Sequence, residues 1–313
     1  VPEGSGEPRR GAQVNPNGSL RRVGAVVHPA RPSAARLGKE LADWAAELDI
    51  EVRTLASERG CLGEDVPCAE PADFPMGLDL VVSLGGDGTL LRALGLVLAA
   101  EVPVLGVNAG RLGFLTEVEA DGLPAALDAV RDGRYQVERR TTLAARVLIG
   151  GHDVAEDLAV NDVVLEKAAR GRLAAVAVRL GDGGPFARYA ADGVMVASPT
   201  GSTAYSFSAG GPIVSPRLDA LLLTPIAPHM VFNRSLVLHP DEGVRLEVLP
   251  DSPTLVESVD GRVVRELPPG AVVEVRRGRH DALLVRTGRA DFYRLVRSKF
   301  RLADAAEPPG GDP

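Results

Sequence analysis

The 313-residue sequence predicts an α/β domain with a parallel sheet, followed by a β-rich domain. Three observations lead there. In the first part, apolar runs of strand length alternate with segments of helical spacing, the pattern of strands joined by crossover helices. Beyond Arg139, short runs with β-branched residues are separated by frequent turn signals, the pattern of a β-rich unit. Near the end, Phe292, Leu295, Val296 and Phe300 return to helix-like spacing.

Taken in order, the apolar run 23–27 reads as a buried strand ended by His28-Pro29. Leu37, Leu41, Trp44, Ala45 and Leu48 then share a helical face, and Ile50, Val52 and Thr54 alternate as in a strand. Residues 57–76, with Gly, Pro and acidic side chains, read as loop. A buried strand over 78–84 runs straight into a glycine loop; 89–100 reads as a helix and 102–107 as another buried strand. In the second part, Gly150-Gly151, Gly181-Asp182-Gly183-Gly184, Asp251-Ser252-Pro253, Asp260-Gly261 and Pro268-Pro269-Gly270 mark turns, and 244–249, 272–275 and 283–285 fit strands. The expected division is an α/β domain over 21–138 and a β-rich domain over 139–290. Residues 1–20, rich in Gly, Pro and Arg without a hydrophobic segment, read as a disordered tail rather than a signal peptide, and 304–313 as a second tail.

Composition narrows the function. Aromatics are 4% of the chain, so Val, Leu and Ala must build the core. The net charge of -7 argues against a nucleic-acid partner gripped through its phosphates. No apolar run approaches the length of a membrane span. Cys61 and Cys68 lack a second pair for a metal site and read as unpaired thiols of a cytoplasmic protein. The five histidines are scattered without ligand spacing, so no structural metal is expected. Basic residues are almost all Arg; the only lysines are Lys39, Lys167 and Lys299.

The glycine loop is Gly85-Gly86-Asp87-Gly88-Thr89. It follows a strand and opens a helix, the place where open parallel sheets bind ligands. Glycines there let backbone N–H groups approach an anion, and the helix N-terminus favours negative charge. Thr89 is placed to cap that helix. A Walker A loop would need Gly-Lys followed by Ser or Thr, and Gly38-Lys39 precedes Glu40. A dinucleotide fingerprint would need a third glycine where Leu91 stands. What remains is a phosphate loop with a carboxylate at its centre, suited to taking a proton from an attacking hydroxyl or to helping hold a metal ion. The alternative is a tight turn in which Asp87 caps a helix.

Two further segments stand out. From Thr200 the chain reads Thr-Gly-Ser-Thr-Ala-Tyr-Ser-Phe-Ser-Ala-Gly-Gly-Pro, with hydroxyls for hydrogen bonding and Tyr205 as a flat surface for a base; Asp192-Gly193 lies just before it. Asn161-Asp162 precedes the apolar run 163–165, and an adjacent amide and carboxylate suit a vicinal diol. Taken singly, each also reads as a Ser-rich surface loop or an Asx turn.

Together, in this order and spacing, the three segments resemble the NAD kinase family over about residues 23–302. The family's Gly-Gly-Asp-Gly-Thr motif is Gly85 to Thr89, its Asn-Glu/Asp motif is Asn161-Asp162, and its Thr-Gly-Ser-Thr-Ala-Tyr motif is intact from Thr200 to Tyr205. The resemblance implies two domains with a site between them, the segment 291–303 packing back on the first domain, and a homodimer or homotetramer. It implies transfer of the terminal phosphoryl of ATP, or of inorganic polyphosphate in some members, to the 2′-hydroxyl of the adenosine ribose of NAD, with a divalent metal, usually Mg²⁺. By residue, it makes Asp87 the proton acceptor within the loop Gly85, Gly86, Gly88 and Thr89. Asn161 and Asp162 hold NAD hydroxyls, and Arg172 is a basic contact. Asp192 lies near the nicotinamide half, and Thr203, Ala204, Tyr205, Ser206, Phe207 and Ser208 wrap the dinucleotide. Phe114 lies near the adenine, and Ala227 is a contact supplied in some members across a subunit interface. Arg262, where some members have Gln, and Ala190, where some have Arg, touch the cofactor. Arg92, one turn past the loop, faces phosphate or solvent. A lipid kinase shares the glycine loop, but no basic amphipathic helix is evident here.

Overall fold

A computed structural model describes residues 20–110, 113–168, 171–288 and 291–302. The expected tails, Leu20 apart, lie outside them. The first half runs β1 (Arg22–Val27), α1 (Pro32–Glu47), β2 (Glu51–Leu55), β3 (Cys68–Ala69), β4 (Leu80–Gly85), α2 (Asp87–Val97), β5 (Val104–Asn108), β6 (Val118–Glu119), α3 (Leu123–Arg131) and β7 (Gln136–Arg140). The second half runs β8 (Leu143–Ile149), β9 (His152–Ala159), β10 (Asp162–Lys167), β11 (Ala174–Leu180), β12 (Pro185–Ala191), β13 (Gly193–Ala197), α4 (Tyr205–Ser208), β14 (Leu221–Ile226), β15 (Leu236–Leu238), β16 (Val244–Val248), β17 (Leu255–Val259), β18 (Arg262–Leu267) and β19 (Val272–Arg277). β20 (Ala282–Arg286) and α5 (Phe292–Phe300) complete it.

The first sheet has the order β3-β2-β1-β4-β5-β20-β7, with β6 also on β5. Its central strands β1, β4 and β5 pair in parallel and are buried along nearly their whole length. Helices cover both faces of such a sheet, which is why these strands read as continuous apolar runs rather than alternating ones. Pro32 opens α1, and Ala34, Leu37, Leu41 and Ala45 form its buried stripe. Leu90, Ala93, Leu94 and Val97 do the same for α2.

The second half is two six-stranded antiparallel sheets, β15-β14-β13-β10-β17-β18 and β12-β11-β16-β19-β8-β9. Val163, Val194 and Leu221 of one sheet pack with Val147, Val176 and Leu246 of the other in a single core, so the sheets form a sandwich.

The two-part fold expected from the sequence is present. One strand changes place. The run 283–285, read with the β-rich half, belongs to β20 of the first sheet. It lies parallel to β5 through Leu284↔Val104 and antiparallel to β7 from Ala282↔Arg140 to Arg286↔Gln136. Both of its faces are buried, and an apolar run of this kind fits an interior strand of either sheet. The return of the chain to the first half thus begins before α5. The loop expected over 57–76 also holds the short strand β3.

Candidate active site

Asp87 is the first residue of α2, directly beyond the carboxyl end of β4. Its carboxylate does not cap its own helix. Oδ2 accepts the Phe114 N–H at 2.7 Å, and Oδ1 accepts the N–H groups of Leu115 and Thr116 at 3.1 and 3.2 Å. The loop that follows β5 therefore folds over the carboxylate. That loop is held in turn: Ala109 donates to Gly85 O at 2.8 Å, and the Asn108 side chain closes a turn with Gly110. A Cβ on Gly113 would overlap the Asp87 carboxyl group, so only glycine permits this approach.

The helix starts two residues earlier than expected, and Thr89 is not its cap. Thr89 is buried, and its side chain fills the space where Gly85 lacks a Cβ. The N-cap is Gly86, without a side-chain bond. Gly86 and Gly88 line a cavity of about 400 Å³ with His28, Arg31, Asp87 and Arg92. Arg92 is partly exposed in this cavity but is not without partners. Its guanidinium pairs with the buried Glu58 and donates to Val27 O at 2.9 Å. Glu58 is anchored by the Val27 N–H at 2.6 Å; burial pushes its carboxyl upward in pKa, against the pull of that N–H and of Arg92.

In the second half, Asn161 and Asp162 stand at the start of β10. Their backbone is gripped by a carboxylate that sequence reasoning saw only as a turn residue. Asp260 accepts N–H groups from Val160 at 3.0 Å, Asn161 at 2.6 Å and Asp162 at 3.3 Å. Asn161 Oδ1 is buried and finds no donor among the described residues. Burial, and then the charge of Asp260, push the Asp162 carboxyl up to about 7. The turn Thr200–Thr203 lies directly on Asn161. Ser198 N–H donates to Asn161 O at 2.8 Å, and a Cβ on Gly201 would overlap the Asn161 backbone.

Beyond that turn, Thr203 and Ala204 are partly exposed, and Tyr205, Phe207 and Ser208 are exposed at α4. Ser206 is different: it is fully buried, with its hydroxyl 3.3 Å from Thr224 Oγ1. Its side chain belongs to the packing of α4 and leaves only its backbone for a ligand. Asp192 is ion-paired with Lys167, a partner the sequence gave no reason to choose. Ala227 follows β14 with a left-handed φ of 44°, next to Asp192, whose N–H donates to Ile226 O at 2.9 Å. Arg172 is exposed and turned to the Asp251 carbonyl at 3.0 Å. Arg262 lies beside Gly95 of α2.

The two halves of the site meet. Val160, next to Asn161, packs in one cluster with Leu90 of α2 and Leu115 of the loop over Asp87. Phe300 of α5 lies between Phe114 and Phe207, with ring centroids 5.9 and 4.5 Å away. Val160 and Phe300 thus connect the glycine loop of Asp87 with the segment of Asn161 and Asp162 and with the hydroxyl-rich turn.

Family models of the ATP-NAD kinase N-terminal and C-terminal domains match residues 23–135 and 160–287. The chain belongs to the NAD kinase family. It is 42% identical to the NAD kinase of Heliobacterium modesticaldum over 279 residues, 89% of this chain and 98% of that one. It is 41% identical to the NAD kinase of Thermobifida fusca, across 90% of each chain. Among solved structures it is similar to yeast NADH kinase complexed with NADH, with a TM-score of 0.86 and 26% identity over 94% of this chain and 91% of that one. It also resembles an NAD kinase from Archaeoglobus fulgidus in complex with ATP, with a TM-score of 0.69 and 25% identity over 90% and 98% of the two chains. The two family models divide at the passage from β7 to β10, where the first sheet gives way to the sandwich of NAD kinases.

Proposed function

We propose that Asp87 is the proton acceptor in this chain's NAD kinase reaction, the transfer of the terminal phosphoryl of ATP to the 2′-hydroxyl of the adenosine ribose of NAD to give NADP. The observation that carries this reading is the set of bonds on its carboxylate. Oδ1 is filled by two backbone N–H groups, whereas Oδ2 accepts one and keeps a second acceptor position. The side chain is oriented without being saturated. The ribose oxygen attacks the terminal phosphorus, the bond to the leaving ADP oxygen breaks, and the hydroxyl proton passes to Oδ2. A carboxylate suffices as base if the proton moves late, as in a loose phosphoryl-transfer transition state. Most of the rate then comes from positioning and from donors aimed at the phosphates.

On the acceptor side, the unpartnered Asn161 Oδ1 and the Asp162 carboxyl suit the hydroxyls of NAD. Phe114 lies by the adenine, Tyr205 and the backbone of Thr203 to Ser208 wrap the dinucleotide, Asp192 lies toward the nicotinamide end, and Ala227 is a further contact. Gly85, Gly86, Gly88 and Thr89 shape the phosphate pocket, and Arg92 braces its wall through Glu58. Arg262, beside α2, is a further contact in this reading, whereas Arg172 is turned to the Asp251 carbonyl.

A divalent cation, Mg²⁺ by the resemblance, belongs with the donor's phosphates. Among the described residues no group of three His, Cys, Asp or Glu could hold one, and Mg²⁺ is commonly held by one or two carboxylates together with phosphates. When bound it offsets phosphate charge. Homo-oligomerisation is supported by the exposed Val231 and Phe232, which follow Ala227 closely in the chain. The free thiols Cys61 and Cys68 accord with a reducing cytoplasm, and no described helix is long and apolar enough to cross a membrane.

The test is Asp87→Asn in the purified chain, with NAD, Mg²⁺ and either ATP or inorganic polyphosphate, scored for NADP. The variant keeps its fold and binds NAD but loses about 10²- to 10⁴-fold in kcat. Near-normal turnover removes Asp87 as the base.

A further inference from the structure

We propose that Lys299 reaches in from the C-terminal helix and, with Arg31, clamps the phosphate chain of the nucleotide donor on either side of Asp87. The proposal rests on the reading of Asp87 given above.

Asp87 places a negative charge where a polyanion must sit. Backbone N–H groups answer part of that repulsion, and mobile cations must answer the rest. Arg92 is already committed to Glu58, and Lys167 to Asp192. Among the described residues, two further cations line the pocket. Arg31, at the N-terminal end of α1, lines the cavity that holds Gly86, Gly88 and Arg92, and also a second cavity on the side of Gly110 and Gly113. Lys299 lines that second cavity with Arg31 and Asp87. Neither Arg31 nor Lys299 meets a carboxylate among the described residues.

The position of Lys299 is set by the aromatic residue beside it. Phe300 lies between Phe114 of the first half and Phe207 of the second, so α5 is pinned across the cleft at its last turn. The Lys299 ammonium then stands 5.9 Å from the Phe114 ring centroid, while its own side chain stays exposed. A lysine is a compact, mobile point charge that can follow a phosphate through a reaction. In a chain whose basic residues are almost all Arg, this is one of three lysines. The chemistry recognised is a phosphate chain, not a base; because both cations line the cavity with Gly86 and Asp87 of the glycine loop, the clamp is assigned to the donor's phosphates rather than to the diphosphate of NAD.

A merely structural lysine, serving the carboxyl end of α5 or the Phe114 ring, would behave differently. In the full-length chain, Lys299→Gln raises KM for ATP about tenfold, as loss of one charge-assisted bond does. KM for NAD stays within about twofold, and the melting temperature is unchanged. Lys299→Arg recovers most of the loss, and Arg31→Gln shows the same ATP-selective defect. Inorganic tripolyphosphate, used as a competitor of ATP, weakens in parallel in Lys299→Gln. An unchanged KM for ATP overturns the proposal, as does a rise in KM for NAD instead. Equal rises in both KM values with a lower melting temperature mark a packing role and also overturn it. Asp87→Asn assayed alongside keeps the two readings apart: its kcat reports on the base, and the KM for ATP of Lys299→Gln reports on the clamp.

Discussion

Asp162 lies where its charge is disfavoured. It is buried at the start of β10, beside the carboxylate of Asp260, and its carboxyl is pushed up to about 7 from an ordinary value of 3.8. The folded chain therefore holds a proton there that the unfolded chain releases near pH 4. Between those values the folded state binds more protons, so stability falls as pH rises from about 4 to about 7, and the full cost remains above that. Asp162→Asn removes this cost. Its melting temperature exceeds that of the wild type most at pH 8 and by less at about pH 5, and the gap closes near pH 4; thermal melts across this range check this. Glu257, pushed up to about 6 mainly by burial, acts in the same direction but is common to both proteins and cancels in the comparison. Catalysis shows the opposite effect. If the ionised carboxylate accepts a ribose hydroxyl, KM for NAD falls as pH rises through about 7, and the Asn variant lacks that trend. At this scale the sequence named Asp87, Asn161 and Asp162 by motif. It could not name Asp260, which lies about a hundred residues further on and joins them only through β17 and its turn.

Among the elements, the loop after β5 matters most for geometry. Its three successive N–H groups turn the Asp87 side chain away from its own helix. The sequence showed the strand, the glycines and the helix. It did not show that the donors would come from Phe114 to Thr116, because side-chain direction at a helix start depends on what packs above it. For the same reason Thr89, a plausible cap by residue type, became a packing partner of Gly85. Gly113→Ala tests the loop. The new methyl group meets the Asp87 carboxylate, so overpacking costs about 1–3 kcal/mol of stability. A misplaced base lowers kcat by about 10²-fold. A urea melt and a steady-state assay read the two effects; unchanged kcat shows that Asp87 does not need its N–H cradle.

For the whole molecule, β20 and α5 turn two domains into one site. Arg286 of β20 donates to Glu138 at 2.7 Å and to Leu115 O at 3.0 Å, and lies 3.4 Å from Glu117. It thus ties the returning strand to the loop over Asp87. Burial alone would raise the Glu138 carboxyl, but Arg140 and Arg286 overcome it and hold its pKa below the usual range. That contribution is present at neutral pH and is lost as pH falls through the lowered value. Arg286→Met leaves Glu117 and Glu138 undercompensated, and the fold loses about 3 kcal/mol at pH 7. The difference from wild type shrinks toward acid pH as Glu138 is protonated. Urea midpoints at neutral and acid pH measure both statements.

The sequence by itself determined the two-part architecture, the parallel sheet, the glycine loop between β4 and α2, and the family. Those follow from local periodicity and short motifs, which any one segment carries alone. Only the tertiary structure decided which sheet receives β20, which residues orient Asp87 and Asn161, where Arg92 and Ser206 spend their polar atoms, and that Arg31 and Lys299 face one pocket. Each of these is a contact between segments far apart in the chain. Such contacts depend on how burial, charge and space balance across the whole fold, and a local pattern does not encode that balance.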